Sequence, residues 1–317
     1  MYAAYTKGAT QVVDIKRFDF ASLPRTSLQI ILGKRGTGKS SLCQYIAQCS
    51  TTCGTGVFVA MCGSETVKES WARSIHPIFI QDPSVEYLES FRDQRNQLVR
   101  TYRRRKEPIP DSEHCTLILD DVASIRRIMR SPVLAYLASN SRHLCTSIFV
   151  LAQYACQVPA EIRNQFDLIF MLATADTKTI RRMHAEYCSI TDLRIFEKVL
   201  AASTGEHGVL VIDNRAVTDR IEQVCFYGKI DTYPFEIKRL GPPSAWAFGD
   251  MHYMDIDGGS VPTAAEAAEW ERSLARDVDD DAEDSLSEHD SPFIRRDIRE
   301  SRRVFEDRHG RVVVRRL

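Results

Sequence analysis

The residues of this chain best suited to chemistry are Gly33-Lys34-Arg35-Gly36-Thr37-Gly38-Lys39-Ser40-Ser41. Gly33, Gly38, Lys39 and Ser40 fit G-x-x-x-x-G-K-[ST], a loop that cradles phosphates. Glycines there let backbone N–H groups converge on phosphate oxygens, and the helix that follows points its positive end at them. Lys39 is long enough to reach β- and γ-phosphates, and the Ser40 hydroxyl can ligate Mg²⁺. A Gly-rich turn with a chance lysine would lack the flanking pattern seen here. The apolar run Leu28-Gln29-Ile30-Ile31-Leu32 reads as a buried strand entering the loop, and Ser41-Leu42-Cys43-Gln44-Tyr45-Ile46 as a helix leaving it. ATP and Mg²⁺ are the expected cofactors.

Two carboxylates follow about eighty residues later, at the end of Cys115-Thr116-Leu117-Ile118-Leu119-Asp120-Asp121. Behind a phosphate loop, an apolar strand ending in an acid reads as the partner of magnesium, so Asp120 is expected to hold the ion through water. A second acid directly after it suits a general base for the attacking water, and Asp121 is the candidate. Thr146-Ser147-Ile148-Phe149-Val150-Leu151-Ala152 is a further apolar strand, tipped by Gln153. In the ATPase class that carries an extra catalytic acid, such a strand lies between the phosphate-loop strand and the acidic strand. Likeness to that class would hold Gln153 near the γ-phosphate, to sense bound nucleotide or orient water. Arg142 starts that strand, hence lies at the opposite sheet edge, where it can reach only a neighbouring subunit's nucleotide. Arg163, in Pro159-Ala160-Glu161-Ile162-Arg163-Asn164, follows the strand on the nucleotide side and is the rival arginine finger.

These groups need a scaffold, and its elements are legible in outline. One strand is expected around Gln11–Ile15, and others at Val57–Cys62, Asp167–Leu172 and His207–Asp213, with short edge strands at Val224–Tyr227 and Phe235–Ile237. Helical patterns cover Ser84–Lys106, Val133–Ser141 and Thr177–Leu200. The fold class is therefore α/β, a P-loop NTPase of the RecA/ASCE type with a mostly parallel sheet and flanking helices. Residues 1–27 read as a lead-in, 28–250 as the ATPase domain, and 251–317 as a charged C-terminal tail expected to be disordered. In that tail an acid block, Asp277–Asp284, precedes an Arg-rich end, where a hairpin around His309-Gly310 is conceivable.

Composition narrows the classes further. The 317 residues are 44% hydrophobic and 27% charged, with net charge −1, so any nucleic-acid contact must come from a local patch such as Arg103-Arg104-Arg105-Lys106. No apolar run is long enough to span a membrane, and Met1–Lys7 lacks a secretion signal's apolar core, so the chain is expected inside a cell. Nine cysteines are scattered without a C-x-x-C, which favours buried thiols over a metal site.

With these residues in place, the chain resembles the genome-packaging ATPases of large DNA viruses, the poxvirus-type branch of the FtsK–HerA superfamily. The likeness rests on Gly33–Ser40, Ile118-Leu119-Asp120-Asp121, Ser141-Arg142-His143 ahead of the strand ending in Gln153, and Pro159–Asn164. It covers about residues 25–245. It implies a homo-oligomeric ring, pentamer or hexamer, that drives double-stranded DNA into a preformed capsid by ATP hydrolysis. It further implies a capsid or portal partner and a place in the host cytoplasm at the assembly site, with the virion a second location. It also implies Asp120 on magnesium, Gln153 as sensor and Arg142 as the favoured finger. Asp121 stands where the wider superfamily more often has Glu. A small-molecule P-loop kinase and a nucleotide-gated capsid-assembly protein are the competing classes; Asp121 and Gln153 favour water as the acceptor over a kinase substrate.

Overall fold

Five apolar runs of the sequence become strands buried along their whole length, as strands covered on both faces must be. The computed structural model describes residues 15–218, 220–230 and 232–252 in full, and the backbone of 2–6, 9–13, 302–306 and 312–316. Its first compact unit is Met1–Pro242. In chain order this unit holds β1 (Tyr2–Thr6), β2 (Ala9–Val13), β3 (Lys16–Arg17), β4 (Leu28–Leu32), α1 (Lys39–Cys49), β5 (Val57–Cys62), α2 (Glu65–Trp71) and β6 (Ile80–Gln81). Next come α3 (Val85–Arg105), β7 (Cys115–Asp120), α4 (Arg126–Met129), α5 (Pro132–Asn140) and β8 (Thr146–Ala152). It closes with α6 (Ala160–Arg163), β9 (Leu168–Met171), α7 (Thr177–Tyr187), α8 (Leu193–Ser203), β10 (Gly208–Asp213), α9 (Ile221–Val224) and β11 (Cys225–Lys229).

Nine of these strands form one sheet in the order β3-β11-β10-β9-β4-β8-β7-β5-β6. Only β10 runs against the rest. The fold is thus the expected α/β type with a mostly parallel sheet, and β8 sits between β4 and β7 as the likeness to an ATPase class implied. Register decides what meets at the sheet edge. Leu32 stands opposite Ala152 and Met171, Leu119 opposite Val150, and Cys62 opposite Asp120. The carboxyl ends of β4, β8, β7 and β5 therefore finish together, where ligands of open parallel sheets bind.

Helix boundaries follow local chemistry. Ser84 Oγ accepts the Tyr87 N–H at 3.1 Å to start α3, and three arginines end it where the helix dipole favours cations. At the centre of α3, Arg95 is fully buried. Its guanidinium donates to Leu144 O at 3.0 and 2.7 Å and to Cys145 O at 3.1 Å, which ties the helix to the loop ahead of β8.

Four expectations change. The lead-in contains three strands: β1 and β2 pair as an antiparallel hairpin separate from the main sheet, and β3 joins that sheet beside β11. The single helical stretch Thr177–Leu200 is two helices. Asp192 Oδ1 accepts the Arg194 N–H at 2.8 Å and begins α8 afresh, after Cys188 has closed α7. Apolar periodicity runs unbroken through this cap, which is why the sequence reads as one helix. Phe235–Ile237 is not a strand. The place beside β11 is taken by β3, and Phe235 instead packs edge-on against Tyr45 of α1 with ring centroids 5.3 Å apart. Finally, β6 was not anticipated, because two residues carry no periodicity.

The second unit, Pro243–Leu317, holds α10 (Pro243–His252) and an antiparallel pair, β12 (Arg302–Glu306) with β13 (Val312–Arg316). The boundary expected at residue 251 falls inside α10. That strand pair flanks His309-Gly310, and the acid block Asp277–Asp284 lies outside the described residues.

Candidate active site

The loop between β4 and α1 is shaped by its glycines. Gly36 and Gly38 adopt φ of +77° and +89°, the left-handed region where a side chain is strained. A Cβ on Gly33 would stand 2.5 Å from Thr37 Oγ1, so only glycine lets the loop fold onto its own start. Thr37 Oγ1 donates to Lys34 O at 2.8 Å and tightens the turn. Gly38 begins α1 with no side-chain cap, and among the described residues no hydrogen bond takes up the N–H groups of Lys39, Ser40 and Ser41. Lys39 Nζ donates to Gly33 O at 2.9 Å and Lys34 O at 3.0 Å. Burial holds this ammonium below its ordinary value of 10.5, against the opposing pull of Asp120 and Asp121. Lys34 and Arg35 are exposed on the loop's outer side. Asp176, which caps α7, has its carboxyl held low chiefly by the Thr179 hydroxyl, with Lys34 contributing, so the start of α7 stands beside the loop.

Across the edge, Ser40 Oγ donates to Asp120 Oδ2 at 2.6 Å, joining residues eighty positions apart. The same oxygen accepts the Trp71 indole N–H at 2.9 Å. Asp120 is 3% exposed and Trp71 wholly buried. Burial pushes the Asp120 carboxyl above 3.8; the Ser40 and Trp71 hydrogen bonds and the Lys39 charge oppose that rise. A hydroxyl beside a carboxylate is a hard-oxygen pair, which fits Mg²⁺. Mg²⁺ keeps several waters and takes phosphate oxygens as ligands, so one or two protein oxygens suffice to hold it. The nearby Cys62 thiol is pushed up to about 12, first by burial and then by Asp120, which keeps it a thiol.

Asp121 leaves β7 with φ of +58° and is exposed at the strand tip. Its carbonyl lies against Gly63, where a Cβ would approach Asp121 O to 2.2 Å. Gly63 N–H also donates to Asp120 O at 3.0 Å, so the loop after β5 braces the pair of acids from behind. Gln153 follows β8 at the same edge, one register step beyond the Leu32–Ala152 pair. The backbone N–H groups of Gln153 and Tyr154 both donate to Gln157 Oε1, at 2.7 and 3.0 Å, which fixes the turn that carries Gln153.

The two arginines lie apart. Arg142 sits in the loop before β8, at the opposite edge of the sheet, paired with Asp167. Asp167 Oδ2 accepts the Leu28 N–H at 2.8 Å, so this pair anchors to the base of the phosphate-loop strand. Arg163 is turned inward, 3.4 Å from both Glu186 Oε1 and Ala155 O. Its Nε is buried and meets no partner among the described residues.

The profile of the family described as Poxvirus A32 protein matches residues 15–233, the span from β3 through β11. The chain belongs to this family. The resemblance read from the loop, the acid pair and the Gln-tipped strand thus holds at the level of the family. Relatives of this A32-family chain include the uncharacterized protein 075L of Invertebrate iridescent virus 6, 27% identical over 77% of this chain and 96% of that protein. Another, from Acanthamoeba polyphaga mimivirus, is 23% identical over 75% of this chain and 83% of its own length. Among solved structures, B204, the DNA-packaging ATPase of Sulfolobus turreted icosahedral virus, is 14% identical with a TM-score of 0.45, covering 66% of this chain and 99% of its own.

Several residues of this A32-family site are not legible in its sequence. Trp71, Gly63 and Asp167 act through contacts across tens to more than a hundred residues, and nothing in their neighbours marks them. A buried Trp needs a partner for its N–H, but the sequence does not say that the partner is Asp120.

Proposed function

We infer that the protein is an ATP-hydrolysing motor that moves double-stranded DNA into a preformed viral capsid. Membership of the A32 family supports the packaging role. One observation carries the enzymatic reading: the Ser40 hydroxyl on Asp120 at the edge where β4, β8 and β7 end together.

In this reading the N–H groups at the start of α1 receive the β-phosphate. Lys39 leaves the Gly33 and Lys34 carbonyls for the β- and γ-oxygens. Ser40 and Asp120 would hold Mg²⁺, Ser40 by an oxygen lone pair while its O–H still donates to Asp120, and Asp120 through water. When bound, the ion withdraws charge from the phosphate oxygens. Asp121 accepts the proton of the attacking water, and Gln153 orients that water or senses the bound nucleotide. Arg142, on the far edge, serves the site of a neighbouring copy in a ring, and Arg163 serves as the inward alternative. Double-stranded DNA and a capsid or portal component are the partners, and the host cytoplasm is the place of action. No described helix is long and apolar enough to cross a membrane. A kinase would need an arginine lid over an acceptor, and Arg182 is instead engaged with Cys156 Sγ at 3.7 Å.

The test is the ATPase rate of the full chain with and without duplex DNA, together with a native mass measurement. Stimulation by duplex and an oligomeric mass are expected, with Lys39→Ala reducing turnover more than a hundredfold. Wild-type turnover in Lys39→Ala would remove the phosphate loop from the mechanism, and indifference to DNA would remove the motor.

A further inference from the structure

The indole of Trp71 is the one large side chain in this region that is wholly buried and spends its polar atom on Asp120. It ends α2, the short helix after β5, and so lies on neither of the two strands that carry the phosphate loop and the acids. Asp120 Oδ2 accepts from both Trp71 and Ser40, and no described group donates to Oδ1. Two donors on one oxygen restrain the carboxylate and leave Oδ1 without a described donor. Trp71 has a single N–H and cannot rotate it elsewhere without leaving its packing, whereas the Ser40 hydroxyl turns freely. α2 itself is pinned. Lys68 is bonded to Glu65 at 2.6 Å and to Asp82 at 2.5 Å, and Gln44 of α1 donates to Ser70 O at 3.1 Å.

We propose that Trp71 is a positioning residue for magnesium: its indole N–H holds Asp120 in the one orientation that lets the carboxylate serve the ion beside Ser40. This rests on the reading of Asp120 as the magnesium carboxylate. Partners that orient a metal's carboxylate commonly change metal affinity about ten- to hundredfold when lost. Trp71→Phe keeps most of the ring and removes only the donor.

The experiment measures binding of ATPγS to the full chain at stepped Mg²⁺ concentrations, by calorimetry, with thermal melts as the folding control. In Trp71→Phe, metal-free affinity should stay within about twofold of wild type while the Mg²⁺ needed for half-maximal enhancement rises about tenfold or more. Asp120→Asn is run alongside. If Asp120→Asn loses the Mg²⁺ enhancement and Trp71→Phe keeps it unchanged, the positioning role is wrong while the Asp120 reading stands. If Asp120→Asn also keeps it, both are wrong. Should Trp71→Phe not fold, the ¹⁵N indole signals of the natural chain decide. There are three tryptophans, so Trp246→Phe and Trp270→Phe identify the Trp71 signal. That signal should move when Mg²⁺ is added to the ATPγS complex, and a signal that stays put overturns the proposal.

Discussion

At the scale of single residues, the site depends on where two backbones touch. Gly63 is needed because the carbonyl of Asp121 occupies the volume a Cβ would fill. Gly63→Ala must push the β7 tip outward, and overpacking of this kind costs about 1–3 kcal/mol. The expected outcome is a lower Tm and a turnover reduced at least tenfold with nucleotide binding retained. A variant with normal turnover would show that the position of Asp121 is immaterial. His114 offers a pH test away from the site. Burial, ahead of the nearby charges, holds this imidazole below 6.5, and its Nδ1 is buried without a partner among the described residues. With the folded value depressed, the unfolded chain takes up the proton first. Stability is therefore complete above pH 6.5 and falls as pH drops from there through the folded value. His114→Gln should flatten the slope of Tm against pH below 6.5. An unchanged slope would assign that acid sensitivity elsewhere.

At the scale of elements, α3 and the loop before β8 behave as one piece because Arg95 joins them. Its guanidinium satisfies the carbonyls of Leu144 and Cys145, and Cys145 holds a left-handed φ of +49°. The buried charge lowers the Arg95 pKa by desolvation, opposed by the Cys115, Cys145 and Glu113 side chains. Arg95→Ala should destabilise the chain by about 3–5 kcal/mol, since carbonyls lose their donors and a large cavity opens. Chemical denaturation measures this; a loss under about 1 kcal/mol would mean that water replaces the guanidinium without penalty. The same bond positions Arg142, three residues before Cys145. The sequence alone showed α3 as an amphipathic helix with an arginine among its polar residues. That this arginine faces inward depends on a loop fifty residues away.

At the scale of the whole molecule, one face of the sheet edge carries the phosphate loop and acids, and the opposite edge carries Arg142 on Asp167. A chain built this way cannot bring its own Arg142 to its own Lys39. Mixing Arg142→Ala subunits with Lys39→Ala subunits should restore part of the ATPase rate, because one kind supplies intact loops and the other intact arginines. Failure to rescue in an intact oligomer would assign the finger to another residue, with Arg163 next. The family match covers residues 15–233 and the first compact unit ends at Pro242, and the phosphate loop and both acids lie within these bounds.

The order of the three central strands came from likeness to an ATPase class, while the phosphate loop, the acid-tipped strand and the α/β class were all legible in the residues before any coordinates. Each is local: a glycine pattern, an apolar run ending in a charge, a helix period between strands. What the tertiary structure alone decided is which groups lean on them. Trp71 on Asp120, Gly63 under Asp121, Asp167 on Arg142 and β3 at the edge in place of Phe235–Ile237 all join segments far apart in sequence. Side-chain hydrogen bonds and close backbone approaches act over about 3 Å, and a chain read along its length does not record which distant residues come that near.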